Sequence, residues 1–266
     1  MPVADLGDIQ LHYRSFGDGP PVLGIMGFGL DQRYWAGQVP AVAESNRFIT
    51  FDNRGSGRSS RVPATSIDEM ADDAVRLLDH LEIEKTVVFG ASMGGTIAQR
   101  LVLDHPERVS ALILAITWAR PLEFMRRRHH LARVVIEQFG PEEFTDLALL
   151  WMFTPQFFEF AGGAIDQMVA SLQGPGGPEM MRPEELLAQL DALDKHDVLG
   201  ELSTVGCPTL VVTGRMDIMV PAIGGREIAE TIPGAEHVEF ETGHGLMIEE
   251  MDAFNATIRG FLDRVT

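Results

Sequence analysis

The chain has 266 residues, 45% hydrophobic and 23% charged, which suits one large buried core and leaves no room for extensive disorder. Acidic residues outnumber basic ones 39 to 21, for a formal net charge of -18. A field of that sign repels phosphate backbones and anionic lipid surfaces, so neither nucleic acid nor membrane is an expected partner.

The opening MPVADLGDIQ has no basic stretch leading into an apolar one. No later window approaches the roughly 18 uninterrupted apolar residues of a membrane span, so a cytoplasmic location is expected. Residues 9–15 alternate and meet the turn-rich GDGPP, a pattern that reads as part of an antiparallel entry hairpin. The runs 22–26, 48–51, 86–89, 111–116 and 209–213 are short, apolar and rich in β-branched residues, and predict buried strands. Between them, 66–81 and 96–105 have helical spacing, the first opened by Ser66 as N-cap with Glu69 three residues on. This alternation predicts an α/β protein with a mostly parallel central sheet flanked by helices. From Thr117 to about Gly200 the strand-like runs vanish, and helix formers, aromatics and charges alternate instead. That stretch is expected to be a helical insertion (117–200) in a single core made of 1–116 and 201–266. GPGGPE, at 174–179, is a short turn-rich hinge. Cys207 is the single cysteine, which rules out an intramolecular disulfide and a thiolate metal cluster.

The most informative segment is TVVFGASMGGTIAQRLV, where an apolar strand ends at Gly90 and a helix begins just after Ser92. G-x-S-x-G at such a junction lifts the serine hydroxyl clear of the sheet, and small neighbours tolerate the tight turn. A serine hydroxyl is a weak nucleophile without a base. Of eight histidines, His244 is the best candidate, lying between two glycines in a loop after the strand-like VEFE. His237 is expected to precede that strand. The base needs an orienting carboxylate, and Asp217, in the loop GRMDIMVP after a strand, falls in the required order. Two backbone N–H groups should stabilise an oxyanion: Met93, after the nucleophile, and Phe28, in GIMGFGL. Neither metal nor organic cofactor is required by such a set.

With these residues in place the chain resembles the α/β-hydrolase superfamily over nearly its whole length. The matching motifs are GASMGG around Ser92, FDNRGSGRSS at 51–60, GRMDIMVP around Asp217 and ETGHG around His244. The resemblance implies that Asp52, Arg54 and Ser59 are scaffold, and that 117–200 is a cap which sets substrate choice. Trp118, Trp151, Phe153 and Phe157 are the aromatic candidates for its pocket, although Trp151, Phe153, Phe157, Phe158 and Phe160 also suit packing of the cap onto the core. The run from Arg126 to His130 reads as a solvated helix face, with attraction of an acidic substrate as the alternative. Met26-Gly27 stands where relatives often carry His-Gly, which leaves the backbone role intact. Ser92 separates the chain from epoxide hydrolases and haloalkane dehalogenases, whose nucleophile is Asp.

The pattern is similar to esterases and 3-oxoadipate enol-lactonases, which implies cleavage of a small, apolar ester or lactone. Carbon–carbon bond hydrolases of the meta-cleavage type use the same triad but tend to carry Trp directly after the catalytic histidine, where Gly245 stands here. A cofactor-free perhydrolase, or a ligand receptor on the same fold, also fits the resemblance. A homodimer is compatible with each of these functions.

Overall fold

The computed structural model describes residues 2–173 and 180–266. The turn-rich 174–179 segment therefore lies outside the described residues. Eight strands form one sheet in the order β1-β2-β4-β3-β5-β6-β7-β8. They are β1 (Val3–Asp5), β2 (Gln10–Phe16), β3 (Pro21–Ile25), β4 (Arg47–Phe51), β5 (Thr86–Ala91), β6 (Val109–Ala115), β7 (Thr209–Gly214) and β8 (Glu236–Phe240). β2 runs antiparallel to β1 and β4, and every other pairing is parallel. The GDGPP turn thus leads to a strand that β2 does not pair with. The entry hairpin is completed by β1, whose three residues are too few to show a period.

The buried strands are legible because each feeds both faces of the sheet in alternation. On β6, Leu112 and Leu114 enter one apolar cluster, while Ala111, Ile113 and Ala115 enter the other. The first cluster is closed by α2 (Ile67–His80), α3 (Met93–Asp104) and α8 (Ile223–Thr231), through residues such as Met70, Ile97 and Ile228. The second is closed by α1 (Val39–Val42) and α10 (Met251–Val265), through Val42, Phe254, Ile258 and Phe261. The short α9 (Leu246–Glu249) precedes α10. Ser66 does cap α2, its Oγ accepting from the Glu69 N–H at 3.1 Å. α3 begins three residues earlier than its spacing suggests, because Gly94 and Gly95 weaken the helical signal without preventing the turn.

Among the described residues, four α-helices run between β6 and β7: α4 (Glu123–Gln138), α5 (Pro141–Met152), α6 (Pro155–Gln173) and α7 (Pro183–Lys195). Ala132, Ile136, Phe144, Met181, Leu186 and Leu190 give them an apolar cluster of their own. Phe28, from the loop after β3, packs against both this cluster and the first sheet cluster, and its ring meets Phe144 edge-on at 5.8 Å.

The chain lays β4 on one side of β3 and β5 on the other. The winding reverses there, and the loops leaving the carboxyl ends of β3 and β5 diverge to leave a crevice.

Candidate active site

β5 delivers Ser92 to this crevice. Ser92 has φ 55° and ψ -121°, a conformation rarely adopted by a non-glycine residue and held only where the surroundings enforce it. The turn is enforced by close packing on both sides. A Cβ at Gly90 would lie 2.3 Å from the Gly94 carbonyl oxygen, and one at Gly94 would lie 1.9 Å from that of Ile25. Ser92 N–H donates to the Ala115 carbonyl at 2.9 Å, and the Ser92 carbonyl accepts from Gly95 N–H at 2.9 Å and Thr117 Oγ1 at 2.8 Å. Ser92 is only partly buried among buried neighbours, so its hydroxyl faces the crevice.

His244 leaves the loop after β8 and places Nε2 3.0 Å from Ser92 Oγ. Its Nδ1 lies 2.7 Å from Asp217 Oδ2. The other Asp217 oxygen accepts the backbone N–H groups of Met219 and Val220, each at 2.7 Å, which fixes the carboxylate's rotamer and points it at the ring. The loops carrying Asp217 and His244 are laced together: Arg215 N–H donates to the Phe240 carbonyl at 2.7 Å, and Met216 N–H to that of Thr242 at 2.9 Å. A Cβ at Gly214 would meet the Gly243 carbonyl oxygen at 2.5 Å, so this close approach depends on the glycine that opens GRMDIMVP. His237, expected ahead of the strand, lies within β8 and contacts Thr213 Oγ1 at 2.9 Å.

The loop after β3 passes directly over the serine, since a Cβ at Gly27 would lie 3.0 Å from Ser92 Cβ. Asn53 Nδ2 fixes that loop by donating to the Met26 carbonyl at 3.0 Å. The surrounding FDNRGSGRSS segment is internally bonded. Asp52 accepts the N–H groups of Gln32 and Arg58, Ser59 Oγ donates to the Asp52 carbonyl, and Arg54 pairs with Asp73 and Glu69. Among the described residues, no group of three or more His, Cys, Asp or Glu side chains could hold a metal ion.

Ser92 and His244 open into a cavity of about 140 Å³ roofed by α4, α5 and α7. Of the four aromatics named for it from sequence, Trp118 lines it and Trp151, Phe153 and Phe157 do not. Trp151 lies beneath the Arg128 guanidinium, and Phe153 stacks on Phe157 with ring centroids 5.1 Å apart. The Phe153 ring also fills the space beside Gly245, where a Cβ would lie 2.4 Å from it. Phe160 is 90% exposed and belongs to neither packing nor pocket. The cavity walls instead include Phe28 and two helical stripes, Phe144, Ala148 and Met152 on α5 and Leu186, Leu190 and Leu193 on α7. Spacings of four and three residues mark a single helix face, and that periodicity is the signal the sequence offers. The basic run also divides: Arg126, Arg127 and His130 are exposed as expected, but Arg128 and His129 turn inward and line the cavity.

A family model described as the alpha/beta hydrolase fold matches residues 20–251. The chain belongs to the α/β-hydrolase family. Across its full length it is 32% identical to "Putative carbamate hydrolase RutD" of Azorhizobium caulinodans, covering 99% of that protein. In structure it is similar to the enol-lactonase of Burkholderia xenovorans LB400, with a TM-score of 0.90, 28% identity, and coverage of 98% of this chain and 100% of that one. It is also similar to a thermophilic esterase from Thermogutta terrifontis, with a TM-score of 0.84, 28% identity, and coverage of 97% and 94%. This α/β-hydrolase is a hydrolytic enzyme, and no helix among its described residues is long and apolar enough to cross a membrane.

Proposed function

We propose that this α/β-hydrolase cleaves a carboxylic ester or lactone through an acyl-enzyme formed on Ser92. The observation that carries the reading is the hydrogen-bonded series from Ser92 Oγ through His244 to Asp217, with contacts of 3.0 and 2.7 Å. In this reading His244 Nε2 takes the serine proton as Oγ attacks the carbonyl carbon, and Asp217 holds the ring in the tautomer that leaves Nε2 free to accept. The oxyanion forms between the N–H groups of Met93, at the start of α3 where no intrahelical acceptor exists, and Phe28. His244 then protonates the leaving alkoxide, water attacks the acyl-enzyme with the same histidine as base, and Ser92 is regenerated. The α4–α7 segment serves as the lid over this chemistry, and the ligand is a small molecule.

The full-length similarity to a protein named as a carbamate hydrolase favours a second bond class for the same machinery. A carbamate carbonyl presents the same electrophile and would pass through a carbamoyl-enzyme. The experiment compares phenyl acetate with phenyl N-methylcarbamate on wild type and Ser92→Ala. Turnover of the acetate should fall about 10⁴- to 10⁶-fold in the variant. Near-normal turnover by Ser92→Ala removes the reading. Faster carbamate than acetate turnover by wild type would shift the bond class and leave the nucleophile in place.

A further inference from the structure

Arg128 and His129 stand beside each other on α4 and line the cavity that Ser92 opens into. Arg128 Nε is buried and has no hydrogen-bond partner. Its guanidinium lies over the Trp151 ring, 5.6 Å from the centroid, which orients the cation but supplies no acceptor. A guanidinium withdrawn from water is costly unless acceptors replace the water. The two carboxylates whose charge reaches Arg128 are Asp194 and Asp217, and both are engaged elsewhere. Asp194 accepts from Arg133 Nη2 at 2.7 Å and lies 2.6 Å from His129 Nδ1. Asp217 is taken by His244 and the N–H groups of Met219 and Val220. Burial pushes the Arg128 guanidinium down to about 10, which still leaves it cationic at neutral pH. Beside it, His129 Nε2 is likewise buried without a partner. An otherwise largely apolar cavity thus contains a fixed cation with a buried donor left unmatched.

We infer that Arg128 is a recognition group for a carboxylate on the substrate, so that the enzyme acts on small esters or lactones bearing a free acid. The cleavage part of this statement rests on the Ser92 reading above; the carboxylate site rests on Arg128 alone. A planar guanidinium matches a carboxylate through paired N–H donors, which a compact ammonium does not. The cavity, at about 140 Å³, is near the roughly 150 Å³ that encloses a benzene molecule, so the recognised ligand is compact. The net charge of -18 opposes an anion at long range, which makes a local cation in the cavity wall the feature that would admit one.

Two ester pairs separate charge from shape: monomethyl glutarate with methyl valerate, and 4-acetoxybutanoate with butyl acetate. Wild type should favour the anionic member of at least one pair in kcat/KM by roughly 10- to 100-fold. In Arg128→Met that ratio should collapse to near one, and Arg128→Lys should restore only part of it. A ratio near one in wild type, or one that survives Arg128→Met, overturns the proposal. Melting temperature guards against a merely structural effect, because removing a half-buried cation whose Nε lacks a partner should leave Arg128→Met at least as stable as wild type. Calorimetry with glutarate stands apart from turnover. Binding to wild type and Ser92→Ala that is lost in Arg128→Met supports the site even if neither ester pair is cleaved, an outcome that would instead count against the ester and lactone bond class. No glutarate binding to wild type counts against the site.

Discussion

Residue by residue, the site depends on side chains whose freedom has been removed by their neighbours. Asp217 is held by two backbone N–H groups before it meets His244, so it can orient the ring without an entropic cost at the moment of reaction. Asp217→Asn keeps the shape but turns an acceptor into a donor opposite Nδ1, which favours the wrong tautomer. Its kcat should fall by about 10⁴-fold with little change in KM, as read from steady-state turnover of a phenyl ester. Ser92, Asp217 and His244 are legible in the sequence because each lies at a strand end in a glycine-rich or turn-forming loop, in a fixed chain order. The pocket is not. Trp151 and Phe153 have the size for a pocket wall, but which side chain reaches a cavity depends on the rotation of its helix, and the inward stripe on α5 is set by Phe144, Ala148 and Met152. Arg128 is hidden for the same reason, since a run of five basic residues gives no sign that two of them turn inward. The Gly245 position has a physical counterpart too: Phe153, supplied by the end of α5, occupies the volume where a larger residue would stand.

Among the elements, the turn after β4 ties the sheet to α2 and to the loop over the serine. Arg54 and Asp73 are 3% and 2% exposed at their side chains, and the pair is completed by Glu69. Removing one partner of a buried pair leaves the other uncompensated. Arg54→Met should therefore lower unfolding stability by about 3–5 kcal/mol, measured by urea titration, and the companion change Asp73→Leu should recover part of it. Loss of less than about 1 kcal/mol in the single variant would mean that the pair contributes little. The central strands are readable because burial on both faces leaves unbroken apolar runs. β1 is not, because three residues carry no period, and the pairing of β2 with β4 is a long-range choice that no local turn specifies.

Across the molecule as a whole, the α4–α7 segment is joined to the core near the C-terminus of α7, where His196 Nε2 lies 3.3 Å from Gln99 Oε1 on α3. Burial pushes His196 down to about 3, from an ordinary value of 6.5. Below pH 6.5 the unfolded chain takes up a proton there and the folded chain does not, until the pH nears 3. The contribution is thus fully present above 6.5 and is lost as the pH falls, by about 1.4 kcal/mol per unit. Buried Asp52 and Asp73, held above their ordinary values mainly by desolvation, act in the opposite sense, so the test is a difference. The stability gap between pH 6.5 and 4.5 should be smaller in His196→Gln than in wild type by thermal melting. Parallel pH profiles would contradict the assignment.

All of these layers bear on one serine, positioned by the whole fold, which the proposed function makes the nucleophile. Its role is tested most directly by intact-mass analysis after treatment with a fluorophosphonate, followed by peptide mapping. A single adduct should form on Ser92, be absent from Ser92→Ala and appear far more slowly in Asp217→Asn. A folded wild-type protein that takes up no adduct, or one that carries it on another residue, would show that Ser92 is not the nucleophile.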